Sequence, residues 1–160
     1  MWGVTPHPGS RYREDRDRGS RLVYGIHVYG NLRRCNPEIL KSEEKLRKIV
    51  ENAAKIGNMT LISITSHKFG HDSGVSVIAI VAESHISIHT WPEYEYATVD
   101  VYTCGANSRP IQSFLYIARA LEARDVEVYV NDRSLYIGDI VENYDFENIV
   151  EVRSSKLMRE

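Results

Sequence analysis

The sequence predicts an α+β fold, a two-layer sandwich in which a mainly antiparallel sheet carries two helices on one face. Three observations point there. Alternating or β-branched runs recur with hairpin-length links between them. Two segments carry apolar residues at helical spacing. The chain has 160 residues, enough for one domain core and short for two.

The elements follow in order. Residues 22–32, "LVYGIHVYGNL", are β-branched and aromatic and read as strand. Residues 42–57 form the clearest helix. Ser42 is a plausible N-cap, Glu43 and Glu44 suit the positive end, Gly57 stops it, and Leu46, Ile49, Val50, Ala53 and Ala54 make one stripe. Strands are expected at 59–66 and 75–82. The second is apolar on both faces and is expected to be central and covered on both sides. Residues 96–103 alternate as another strand. Residues 108–123 read as the second helix, capped by Ser108, with Pro110 in its first turn and Ile111, Phe114, Leu115, Ala118 and Leu121 on its buried face. A last strand covers 126–131. The order is β-α-β-β-β-α-β. One face of the sheet is left without a cover, which a second copy of the chain could supply.

Domain boundaries follow from patterning. Residues 1–21 include "RYREDRDRGSR", mixed in sign and nearly free of apolar residues, and are expected to be a disordered tail. The interleaved acids argue against a nucleic-acid-binding arm. The domain proper is expected at 22–131. Residues 132–160 form a weakly patterned extension in which Ile137, Ile140, Tyr144 and Phe146 could dock.

Composition excludes several classes. Apolar residues make up 42% and charged residues 26%, ordinary for a soluble protein, and the formal charge of −2 exerts no general pull toward nucleic acid. The longest apolar run, around 75–82, is too short to span a bilayer. No charged start followed by an apolar run opens the chain, so no signal peptide is expected. Cys35 and Cys104 make no disulfide framework, which favours a reducing cytoplasm.

The reactive side chains concentrate in "AESHISIHTWPEYEYATVDVYTCG", residues 82–105, whose alternation reads as strand. His67, His71, His85 and His89 lie near in sequence, and Cys104 could join them in binding a metal. The "HISIH" pattern is β-type, however, and lacks the acidic spacing of zinc-protease helices, so no metal is expected. A Ser-His or Cys-His hydrolase pair can be assembled, but no G-x-S-x-G elbow is present. Taken singly, each residue reads as a polar side chain on a scaffold. Together, Glu83, Ser84 and His85 end the most apolar strand of the chain, and a buried carboxylate beside a buried hydroxyl requires a reason.

The arrangement of "GVS" (74–76), "ESHISIHTWPEY" (83–94) and "TCG" (103–105) resembles the pyruvoyl-dependent S-adenosylmethionine decarboxylases of bacteria and archaea, over about residues 22–131. The resemblance implies their fold and cleavage of the chain by itself between Glu83 and Ser84. The Ser84 hydroxyl would attack the Glu83 carbonyl, and elimination and hydrolysis would leave a pyruvoyl group at residue 84. The products would be a β-chain (1–83) and an α-chain (84–160), associated as a dimer of αβ units. The covalent pyruvoyl cofactor would form a Schiff base with a substrate amine and accept electrons as CO₂ leaves. The resemblance gives Ser76 and His89 to self-processing and Cys104 to proton return to the substrate, a role suited to a thiol. It places Phe69 against an adenine and Trp91 and Glu93 near substrate, although Phe69 and Trp91 could equally be packing residues. Strict strand alternation puts Ser84 and His89 on opposite faces, so a bulge or bend is expected between them.

Val77 stands where many family members have a second Gly, and Asn31 where many have Glu. The archaeal branch, to which "YGNL" and "ATVDVYTCG" are most similar, includes a relative that decarboxylates arginine. The expected function is therefore a cytoplasmic S-adenosylmethionine decarboxylase of polyamine (spermidine) biosynthesis, with arginine decarboxylase as the runner-up and a non-enzymatic regulatory dimer of the same fold as a third reading.

Overall fold

A computed structural model describes residues 21–136. The charged segment 1–20 and the apolar positions Ile137, Ile140, Tyr144 and Phe146 lie outside the described residues. The strands are β1 (Arg21–Val23), β2 (Ile26–Arg33), β3 (Leu61–Lys68), β4 (Val75–Val81), β5 (Ser84–Trp91), β6 (Tyr96–Thr103), β7 (Asp125–Asp132) and β8 (Leu135–Tyr136). The helices are α1 (Pro37–Leu40), α2 (Glu43–Ile56) and α3 (Pro110–Ala120), and a 3₁₀ turn spans Pro92–Tyr94. Six strands form one sheet in the order β3-β4-β5-β6-β2-β7, every neighbouring pair antiparallel, while β1 and β8 pair as a separate ribbon.

The second helix, α2, forms as its sequence predicts. The Ser42 hydroxyl accepts from the Lys45 N–H at 3.3 Å, and the predicted stripe Leu46, Ile49, Val50, Ala53 and Ala54 is buried. At α3 the N-cap is Arg109, not Ser108, and no side chain caps it. Ser108 instead turns its N–H back to the Gly105 carbonyl at 3.0 Å. Pro110 opens the helix, where its missing N–H costs nothing. Ile117 is buried beside Phe114, Ala118 and Leu121, whereas Ile111 and Leu115 are only partly buried. Both helices lie on one face of the sheet and pack on each other.

Two strand expectations need correction. The first predicted strand is two, because the chain breaks at Tyr24–Gly25, where a Cβ on Gly25 would sit 2.7 Å from the Tyr102 hydroxyl. Residues 84–91 are a strand in their own right, so the main sheet gains β5 between β4 and β6. The core lies between sheet and helices, with Val28, Leu32, Val75, Val77, Ala79, Val81, Ile86, Ile88, Val99 and Val101 facing α2 and α3.

The other face carries His27, Tyr29 and Asn31 on β2, Ser76, Ile78 and Ile80 on β4, His85, Ser87 and His89 on β5, and Thr98, Asp100 and Tyr102 on β6, as the pairing register requires. Strand β4 is thus covered on one face only: Ile78 is 40% exposed and Ile80 53%. Both long helices sit on the same side, so the other face of the sheet is left without a cover, as the sequence reading expected. No described helix is long and apolar enough to cross a membrane.

Candidate active site

The residues singled out in the sequence fall into two groups at opposite ends of β5. The first is the junction between β4 and β5, where Ala82 and Glu83 turn the chain. Ser84 begins β5 with a φ of 143°, a conformation that costs a residue with a Cβ roughly 1–3 kcal/mol. The strain falls on the residue whose hydroxyl would have to reach the preceding carbonyl.

That carbonyl is held. The Cys104 backbone N–H donates to the Glu83 oxygen at 2.7 Å. It can do so because β6 runs antiparallel beside β5, with Thr103 paired to Ser84, so the residue after β6 arrives at the turn. The Glu83 carboxylate accepts from the Thr60 N–H at 2.9 Å and from the Thr60 hydroxyl at 3.4 Å, and the Thr60 carbonyl accepts the Ala82 N–H at 2.8 Å. Gly105 lies against the Glu83 stem, where an added Cβ would come within 2.8 Å of Cγ and would also collide with the Ser108 hydroxyl. Glu83 and Ser84 are half-buried, not fully buried as their place beside an apolar strand suggested, and Glu83 has its donors at hand. The Cys104 side chain is exposed.

The second group lies toward the other end. Ser76 and His89 are paired across β4 and β5, with the Ser76 hydroxyl 2.7 Å from His89 Nδ1. Phe69 is 66% exposed and meets His67 edge to face at 4.8 Å between ring centres. Trp91 is 38% exposed and tilts against Tyr96 at 5.4 Å. Glu93 is exposed in the 3₁₀ turn. In the first residue of "GVS", Gly74, a Cβ would collide with the Thr90 carbonyl, so the close approach there needs Gly.

No bulge joins the groups. Strand β5 pairs without a register break to β4 and to β6. Ser84 shares its row with Val81 and Thr103, both buried on the helix side, while His89 shares its row with Ser76 and Thr98 on the bare side. At about 3.3 Å per residue, Ser84 and His89 are roughly 17 Å apart, and Ser84 and Trp91 roughly 23 Å. Within one chain, the expected bend does not bring His89 to Ser84.

Two environments beside these groups are shifted. Burial pushes the His85 imidazole below its usual range, against a smaller opposite effect of Asp100. Burial pushes the Cys35 thiol up to about 12, with the Glu95 charge adding to it. Among the described residues, no three His, Cys, Asp or Glu side chains converge as metal ligands, and His71 is fully exposed beside Asp72. Asn31 donates to Glu127 at 2.7 Å and accepts from the Tyr96 hydroxyl at 2.8 Å. Thr60 was missed by sequence reasoning, because it acts mainly through its backbone.

The family model described as S-adenosylmethionine decarboxylase matches residues 26–134. The chain belongs to the S-adenosylmethionine decarboxylase family. Among relatives of this family, a protein of Pyrobaculum islandicum named S-adenosylmethionine decarboxylase proenzyme is 53% identical over 74% of this chain and 94% of its own length. One of Hyperthermus butylicus, named arginine decarboxylase proenzyme, is 56% identical over 74% of this chain and 84% of its own. The crystal structure of the adenosylmethionine decarboxylase from Aquifex aeolicus superposes with a TM-score of 0.66 at 33% identity, covering 77% of this chain and 98% of that one. Its agreement supports the α+β class read from the sequence.

Proposed function

We propose that the chain is a self-cleaving proenzyme whose mature form decarboxylates S-adenosylmethionine through a pyruvoyl group made from Ser84, a step of polyamine synthesis. The observation that carries this reading is the Glu83–Ser84 junction. A strained serine follows a carbonyl that is already polarised by the Cys104 N–H. As the Ser84 oxygen adds to the Glu83 carbon, charge builds on the oxygen that this N–H faces. The peptide C–N bond then breaks, nitrogen takes the proton, and an ester joins the two residues. Removal of the Ser84 α-proton expels Glu83 as a carboxylate, which carries the serine oxygen with it. The residual dehydroalanine takes up water and releases ammonia, leaving the ketone. The pyruvoyl carbonyl supplies an electron sink for loss of CO₂ from an amino-acid substrate.

The residues of this chain divide the remaining work. Cys104 would return a proton to the substrate carbon, a role supported by its exposure beside the junction. The Ser76–His89 pair fits the proton transfer of elimination, but only from a second copy, because its own Ser84 is too far away. A dimer packed through the bare sheet face would cover Ile78 and Ile80 and bring that pair, with Phe69, Trp91 and Glu93, toward the end of the neighbour's β5, where the half-buried Glu83–Ser84 turn closes the sheet and Ser84 at φ 143° departs from regular strand geometry. Phe69 then offers a flat face for a purine, and Glu93 acceptors for ribose hydroxyls.

Intact mass and carboxyl-labelled substrates test the reading. The purified protein should appear as two fragments, the larger-numbered one blocked to Edman sequencing, while Ser84→Ala stays whole. Labelled CO₂ should come from S-adenosylmethionine. A second reading, arginine as substrate, is favoured by the 56% identity to the Hyperthermus butylicus protein named for it. Release of CO₂ from labelled arginine alone, assayed alongside, would establish that reading instead.

A further inference from the structure

We propose that the Glu83 side chain is a positioning group for self-cleavage, anchored by Thr60, and not a carrier of protons. The inference rests on the reading that the 83–84 bond is the one cut.

Residues 82 and 83 form the acyl half of that bond, and they are held from several directions. Thr60 lies in the link between α2 and β3. Its carbonyl takes the Ala82 N–H at 2.8 Å and its N–H takes a Glu83 carboxylate oxygen at 2.9 Å. The other carboxylate oxygen meets the Thr60 hydroxyl at 3.4 Å, while Cys104 holds the carbonyl at 2.7 Å. The two supporting loops are themselves tied. The Asn58 side chain donates to the Asn107 carbonyl at 3.1 Å, and the Arg109 N–H to the Gly57 carbonyl at 2.7 Å.

A backbone N–H donates a hydrogen bond and takes no proton back, so the principal partner of this carboxylate cannot relay one. What it can do is fix the side chain, and through it the plane of the scissile carbonyl. Ser84 at φ 143° must find that plane in place, because a displacement of about 1 Å at reacting atoms can cost on the order of 10²-fold in rate. Glutamine can make the same contacts. Its amide oxygen accepts the Thr60 N–H, and its NH₂ can donate to the Thr60 hydroxyl oxygen.

The experiment follows splitting at the 83–84 bond by intact mass, over a range of pH, in the wild type, Glu83→Gln, Glu83→Ala and Thr60→Val. Glu83→Gln should split within about threefold of the wild-type rate with the same pH profile, and Glu83→Ala on the order of 10²-fold more slowly. Thr60→Val, which keeps the N–H but loses the long hydroxyl contact, should slow splitting far less than Glu83→Ala; a loss as large as that of Glu83→Ala would overturn the assignment of the anchor to the main chain. Circular dichroism melting of each variant separates a slow folded precursor from an unfolded one. Glu83→Gln as slow as Glu83→Ala, or with a limb of the pH profile missing, overturns the inference. A wild-type chain that never splits at this bond overturns the proenzyme reading itself.

Discussion

The backbone N–H of Cys104 and the carbonyl oxygen of Glu83 are 2.7 Å apart, which separates the two roles proposed for this residue. Its main chain faces the carbonyl proposed to be cut, while its side chain is exposed. A side-chain substitution leaves the first function intact and removes the second.

Cys104→Ala should therefore still split at residue 83 and carry a pyruvoyl group, yet lose on the order of 10²–10⁴ in turnover, the scale of a general acid. Protonation of the wrong carbon should also inactivate it by transamination. Turnover and lifetime equal to the wild type would remove the thiol from the mechanism.

Gly105→Ala tests the close approach behind the same carbonyl. The new methyl would stand 2.8 Å from Glu83 Cγ, so the loop or the glutamate must move. Splitting should slow by about tenfold or more, through misplacement of the carbonyl. A splitting time course indistinguishable from the wild type would show that the loop yields without disturbing the bond.

The separation of His89 from Ser84 makes a prediction about mixtures. Neither Ser84→Ala nor His89→Ala should split alone. Co-expressed as hybrid dimers, they should split the His89→Ala chain, whose Ser84 would be served by the histidine of the other copy. No fragments from the mixture, despite mixed dimers by native mass, would mean that each chain serves itself.

Phe69, 66% exposed, is the residue through which the proposed substrate choice can be tested. Phe69→Ala should leave splitting unchanged and lower kcat/KM for S-adenosylmethionine by about 1–3 kcal/mol, the worth of stacking on one base. Unchanged kcat/KM would assign this ring to packing.

The sign of the pH effect at His85 follows from its burial. Burial in the folded protein holds its pKa below the ordinary imidazole value of about 6.5, so the unfolded chain binds a proton first as pH falls. Its stability contribution is present above about 6.5 and is lost as pH drops through the folded value. Asp100 opposes this shift, while His27 and Arg133 add to it. Urea unfolding of the uncut Ser84→Ala chain at pH 7.5 and 5.5 should show a larger acid loss than the same chain with His85→Gln. Equal losses would place the acid sensitivity elsewhere.

Much of this was legible in the sequence because it depends on side-chain period and cap chemistry. Ser42, the five apolar positions of α2 and the alternation of β6 determine their own structure locally. The opposite-facing Ser84 and His89 were legible for the same reason, but a bulge was the wrong resolution, since an unbroken register on both sides holds β5 straight. Ser108 looked like a cap by residue type, yet its N–H closes a turn to Gly105 and the helix begins one residue later. Thr60 carried no signal at all, because any residue but proline offers the same N–H.

The sheet order has a consequence for a chain divided after residue 83. Strands β2, β3 and β4 precede the cut and β5, β6 and β7 follow it, yet β2 lies between β6 and β7. Three of the five seams, β4 to β5, β6 to β2 and β2 to β7, therefore join one fragment to the other. The fragments are woven together, and neither contains a sheet that would stand alone. The uncut precursor assembles this weave as a single molecule, whereas the separated fragments must meet in solution. Once melted, a protein so divided would recover at a rate that falls with dilution, and its apparent stability would become a function of concentration. Cleavage at the proposed bond would act as a ratchet: the covalent thread that guided the strands into place would be gone by the time the enzyme works.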